Sequence, residues 1–114
     1  MTVTIWHNPR CSKSRQTLAL LEARAIVPEV RLYLADPPGE AEIRRALALL
    51  GIEPVGLVRR GEAAFTAAGL SKASDGEALI AAMAADPVLI ERPVVFAGGK
   101  AALGRPPEAV LEIL

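Results

Sequence analysis

Residues 2–6, TVTIW, are β-branched and aromatic, and their alternation predicts a first strand. HNPRC, at 7–11, turns the chain, because Pro9 fixes φ and has no amide hydrogen to give to a ladder. From Ser12 the period changes. Leu18, Leu21 and Ala25 recur at helical spacing, as do Thr17, Leu20 and Arg24, so 12–25 reads as an amphipathic helix. EVRLYL, at 29–34, alternates again and predicts a second strand, closed by DPPG at 36–39. A β-α-β opening with so short a crossover makes the two strands parallel.

The middle of the chain is helical throughout. Residues 40–51 place Ile43, Leu47 and Leu50 on one face, with Gly51 as the C-cap. Residues 55–70 and 75–87 continue as short helices broken by glycine and proline, with no fixed-period repeat. RPVVFA at 92–97, two glycines and KAALG at 100–104 then predict a β-hairpin. PPEAVLEIL, at 106–114, closes as a helix that starts on proline. The order β-α-β, a helical insertion at about 40–87, then β-β-α predicts an α/β, thioredoxin-like fold with a mixed sheet, as a single domain over 1–114. Such a sheet holds the first strand centrally, and the loop after it lies at the carboxyl end, where ligands bind.

Composition alters this picture little. A chain of 114 residues, 52% hydrophobic and 23% charged, suits one globular domain. Thirteen basic and 13 acidic residues give a net charge of zero, so no nucleic-acid or membrane partner is expected. One cysteine forms no internal disulfide. MTVTIWHNP has neither the basic nor the apolar region of a secretory signal, and no apolar run nears the ~20 residues of a membrane span. The expected location is cytoplasmic, where a free thiol survives.

HNPRCSKSR, at 7–15, is where the chemistry concentrates. It holds the only cysteine and the only histidine, with Arg10, Lys13 and Arg15 around them. A thiol reacts as thiolate, and a helix start supplies a positive dipole end and free amides that favour one. The flanking positive charge and His7 are expected to push the Cys11 pKa down further. The same amides, with the Ser12 and Ser14 hydroxyls, would cradle an oxyanion. A lone cysteine is more often a small buried hydrophobe. Placed after a proline in a polar loop, Cys11 is instead expected to be exposed and to pack little. His7 has no cluster of metal-ligating residues near it in sequence, so no metal is expected. Position 14 is serine where thioredoxin-type enzymes repeat the cysteine, so any redox cycle must borrow its second thiol.

IWHNPRCSKSRQTL at 5–18 resembles the active-site segment of the glutaredoxin-coupled arsenate reductases, the ArsC family. LYLADPP (32–38), LVRRGE (57–62), ERPVVF (91–96) and GRPPEAVLEIL (104–114) continue the resemblance in the same order. It implies reduction of arsenate to arsenite with glutathione as co-substrate, glutaredoxin as partner and no bound cofactor. It implies Cys11 as nucleophile, assisted by His7 and Ser14. Arg59, Arg92 and Arg105 match the family's anion-binding arginines, and Pro93 matches the proline, usually cis, that precedes a strand beside the active site. Two other readings stay open on sequence alone. One is a glutathione-dependent thiol oxidoreductase of the same superfamily without arsenate activity. The other is an Spx-like regulator that binds RNA polymerase, although such proteins typically carry a second cysteine where Ser14 stands.

Overall fold

A computed structural model describes residues 2–114. The chain divides into two compact units, one made of residues up to Asp36 together with Arg92–Leu114, the other of Pro37–Glu91.

The first unit is built on a four-stranded mixed sheet. Its strands are β1 (Val3–Trp6), β2 (Glu29–Arg31), β3 (Val94–Ala97) and β4 (Lys100–Leu103), in the spatial order β2-β1-β3-β4. β1 is therefore internal. It pairs parallel with β2, Ile5 opposite Val30, and antiparallel with β3, Ile5 opposite Val95. The hairpin β3–β4 turns on Gly98 and Gly99, whose φ values of 56° and 77° lie where a side chain is strained.

Helix α1 (Ser12–Ala23) covers one face of this sheet. Val3, Ile5, Leu21, Val95, Ala97 and Val110 form the buried core, which combines period-two positions of β1 and β3 with one from α1 and one from the last helix. The valine, isoleucine and leucine side chains of this core each contribute about 1.5–3 kcal/mol. On the opposite face Trp6 meets Phe96, with ring centroids 5.1 Å apart, and the Arg31 guanidinium lies 5.9 Å from the Trp6 ring.

The second unit is helical: α2 (Glu40–Leu50), α3 (Ala63–Ala67) and α4 (Gly76–Ala85), with 3₁₀ turns at Pro54–Gly56 and Pro87–Leu89. α2 packs on α4. The face of α2 that carries Ile43 and Leu47 is buried, and Gly51 ends the helix in the left-handed region as its C-cap. An isolated bridge joins Val58 to Ile90.

Three elements differ from the sequence pattern. Of the short helices expected over 55–70, only the 3₁₀ turn at Pro54–Gly56 and the five residues of α3 form, and Val58 between them pairs with Ile90 instead. The second strand stops at Arg31 instead of running to position 34, because the Leu32 carbonyl accepts the amides of Ala35 and Asp36 at 3.0 and 2.9 Å and winds the chain into a turn. Of the alternating apolar set there, Val30, Leu32 and Leu34 are exposed, while Tyr33 is buried. The last segment, Pro107–Ile113, is helical but of the 3₁₀ type. Among the described residues, no helix is long and apolar enough to cross a membrane.

Candidate active site

Strand β1 delivers the chain to the carboxyl end of the sheet, and the loop 7–11 turns it into α1. The Asn8 carbonyl accepts the Cys11 amide at 3.0 Å, and the Asn8 side-chain oxygen accepts the Arg10 amide at the same distance. Cys11 is the N-cap of α1, in extended conformation, and its carbonyl accepts the Arg15 amide at 3.0 Å to start the helix. No side-chain hydrogen bond closes this end, and no acid stands in its first turn. The sulfur occupies the place where a Ser or Asp oxygen ordinarily caps a helix.

Cys11 is buried, with only 8% of its surface exposed, contrary to the exposed thiol expected from the polar loop. Burial is the largest influence on its titration and pushes the pKa up. It is outweighed. The Ser14 amide, the Arg92 guanidinium, the Lys13 amide and the Arg105 guanidinium together bring the thiol below its ordinary value. The expectation that Arg10, Lys13 and Arg15 would supply this charge needs correction. Lys13 acts through its backbone, and the charged side chains come from the far end of the sequence. Arg15 donates instead to the Pro9 carbonyl at 2.9 Å, across the loop.

His7 and Ser14 form a buried pair, His7 Nδ1 standing 2.6 Å from Ser14 Oγ. That oxygen also accepts the Asn8 amide at 3.0 Å. Burial first, and Arg15 second, lower the His7 pKa, so the imidazole favours its neutral form and adds no positive charge to the site. Ser12 is exposed in the first turn of α1.

Two tight junctions bring Arg92 and Arg105 to this end of the sheet. Arg92 precedes Pro93 and Arg105 precedes Pro106, both across cis peptide bonds, and Arg105 Nη1 donates to the Arg92 carbonyl at 3.2 Å. Gly104 donates its amide to the Pro93 carbonyl at 3.0 Å. A Cβ on Gly104 would lie 2.7 Å from Pro93 Cγ and would also strike Thr17 Oγ1, so only glycine lets β4, Pro93 and α1 approach this closely. Thr17 is itself buried and donates to the Lys13 carbonyl at 2.8 Å. In the sequence Thr17 marks only a helical face and Gly104 only a glycine directly before an arginine, so neither stands out as part of this end of the sheet.

Arg59 belongs to the helical unit. Its amide donates to the Leu89 carbonyl at 2.7 Å, and its guanidinium is held by Glu62 Oε1 at 2.6 Å and reaches the Val88 carbonyl at 3.5 Å. Arg60 beside it is exposed. Among the described residues, no group of three or more His, Cys, Asp or Glu side chains is placed to hold a metal ion.

A mixed β2-β1-β3-β4 sheet, with a thiol of lowered pKa at the start of the helix after β1, defines a thioredoxin-like protein. Within that class the chain belongs to the ArsC family, whose model matches residues 6–113. The arsenate reductase of Neisseria meningitidis is 44% identical, covering 98% of this chain and 97% of that protein. Escherichia coli YfgD, whose function is uncharacterised, is 50% identical over 98% of this chain and 96% of its own. The solved arsenate reductase of Vibrio cholerae superposes with a TM-score of 0.96 at 48% identity, covering 100% of this chain and 98% of that one.

Proposed function

We propose that this oxidoreductase reduces arsenate to arsenite, with Cys11 as nucleophile and with glutathione and glutaredoxin as external thiols. The observation that carries the reading is the Cys11 sulfur at the start of α1, where the Ser14 and Lys13 amides and the Arg92 and Arg105 guanidinium groups lower its pKa. The groups that favour a thiolate are those that would hold an oxyanion beside it. Membership of the ArsC family, with relatives named arsenate reductase, supplies arsenic as the reacting centre.

In the proposed cycle Arg92, Arg105 and the α1 amides hold arsenate, with Ser12 as a further donor. Arg59 joins them on the strength of its sequence match. The Cys11 thiolate attacks arsenic and an oxygen leaves as water, giving a sulfur–arsenic(V) adduct. Glutathione displaces a second oxygen from arsenic, which leaves as water, and becomes the second sulfur on arsenic(V). Glutaredoxin attacks the glutathione sulfur and forms a mixed disulfide, and the electron pair of the broken sulfur–arsenic bond takes arsenic(V) to arsenic(III). Water then releases arsenite from Cys11. The His7–Ser14 pair assists thiolate formation as a buried hydrogen-bonded unit. Ser14 cannot serve as a resolving thiol, so the cycle needs its external partners.

A coupled assay tests this directly. Purified protein, arsenate, glutathione and glutaredoxin should consume reductant faster than the same mixture without the protein. If arsenate adds nothing while a small disulfide substrate is turned over with glutathione, the protein is a thiol oxidoreductase of another specificity. Arg59→Ala should lower arsenate turnover and Arg60→Ala should not. Equal losses would remove Arg59 from the site.

A further inference from the structure

Among the described residues, the large hydrophobic side chains that stand exposed fall between positions 27 and 34: Val27 at 95%, Val30 and Leu32 at 46% and Leu34 at 43%. They lie in and beside β2, the edge strand of the sheet. A scattered exposed valine needs no explanation, but an apolar run along an open sheet edge does.

The backbone of this edge has a definite polarity. His7 donates its amide to the Arg31 carbonyl at 2.9 Å, so Arg31 turns its backbone groups towards β1, as Glu29 does one period earlier. Val30, between them, turns its N–H and C=O outward. By the same alternation the Pro28 carbonyl and the Leu32 amide also point outward. The two groups that would complete an outward ladder are already accounted for. Pro28 has no amide hydrogen, and the Leu32 carbonyl is taken by the amides of Ala35 and Asp36.

We propose that β2 pairs antiparallel with β2 of a second copy of this chain, about a two-fold axis at Val30. Each Val30 amide then donates to the other Val30 carbonyl, and each Leu32 amide donates to the Pro28 carbonyl of the other copy. The missing donor of Pro28 falls opposite the occupied carbonyl of Leu32, so no group is left wanting. Side chains match as well. Glu29 of one copy stands opposite Arg31 of the other, twice, on the sheet face that carries Trp6. Arg31 is steadied for that role by Asp36, its Nε lying 3.4 Å from the carboxylate, and by the Trp6 ring. On the opposite face Val30 meets Val30 of the other copy and Leu32 stands opposite its Pro28. A strand of another protein could use the same backbone edge, but Glu-Val-Arg reads as its own charge complement when reversed, and this favours a second copy.

The test is the oligomeric state of the full chain, measured by light scattering and sedimentation with reductant present so that Cys11 cannot cross-link. The wild type should dimerise reversibly, with dissociation in the micromolar range typical of small interfaces, about 1–100 µM. Val30→Asp, which sets two carboxylates face to face at the axis, should weaken association at least about tenfold. Glu29→Arg and Arg31→Glu should each be monomeric alone, through like-charge pairs. Mixed one to one, they should assemble as a heterodimer with both pairs restored. That recovery requires both variants to be folded, so it separates a lost interface from a damaged chain. A wild type that stays monomeric at about 1 mM, or a mixture that fails to assemble, overturns the proposal.

Discussion

Two helices of this protein begin in opposite ways. α2 starts after Gly39 with Glu40 and Glu42 in its first turn, and Glu42 Oε1 accepts the Gly39 amide at 3.2 Å. Its positive end is neutralised by its own carboxylates, which stabilises the helix and leaves nothing for a ligand. α1 starts on Cys11 with no acid in its first turn and no side-chain cap bond. Its amides act on the sulfur instead, and two arginines from elsewhere in the chain reinforce them. The same backbone feature is spent on stability in α2 and bears on a thiol in α1.

Removing the sulfur should have the largest effect. Cys11→Ser is expected to abolish turnover, read in the coupled assay, because no other thiol is present. Since the side chain is buried but changes little in volume, stability should shift by no more than about 1 kcal/mol. The same variant exposes the pH linkage. A thiol whose folded-state pKa is lowered stabilises the fold above the ordinary thiol pKa, and that contribution is lost as pH falls through the folded value. Urea titrations should therefore show the wild type gaining on Cys11→Ser as pH rises through that window. A pH-independent gap would mean the thiol is not activated.

Next come the arginines that α1 borrows. Arg92→Ala and Arg105→Ala should each cost on the order of 2–4 kcal/mol in kcat/KM, and each should raise the Cys11 pKa read from the pH dependence of alkylation. A loss of activity with an unmoved thiol pKa would separate anion binding from thiolate activation. Making α1 resemble α2 should cost less. Lys13→Glu places an acid in the first turn, where it opposes both the helix end and the thiolate, and should lower kcat/KM by about 0.5–1 kcal/mol. The reverse change is the smallest. Glu42→Ala should lower stability towards urea by about 0.5–1 kcal/mol and leave turnover untouched. If Glu42→Ala altered turnover more than Lys13→Glu, the contrast between the two helix starts would be wrong.

The sequence by itself determined the elements that depend on local pattern. Alternation marked β1 and the start of β2, helical spacing marked α1 and α2, and two glycines between apolar runs marked the β3–β4 hairpin. Their order carried the thioredoxin-like topology, and the basic loop before α1 drew attention to Cys11. Local pattern failed where a backbone bond overruled it: the Leu32 carbonyl turned the chain and cut β2 to Glu29–Arg31. Only the tertiary structure decided the electrostatics of the thiol. Burial depends on what packs around a loop, and charge acts through distance in space, so Arg10 and Arg15, close in sequence, were the natural but wrong choice. Arg92 and Arg105 act on Cys11 because Gly104 lets β4 close on Pro93 and Thr17 without room for a methyl group. No period or spacing in the chain encodes that approach.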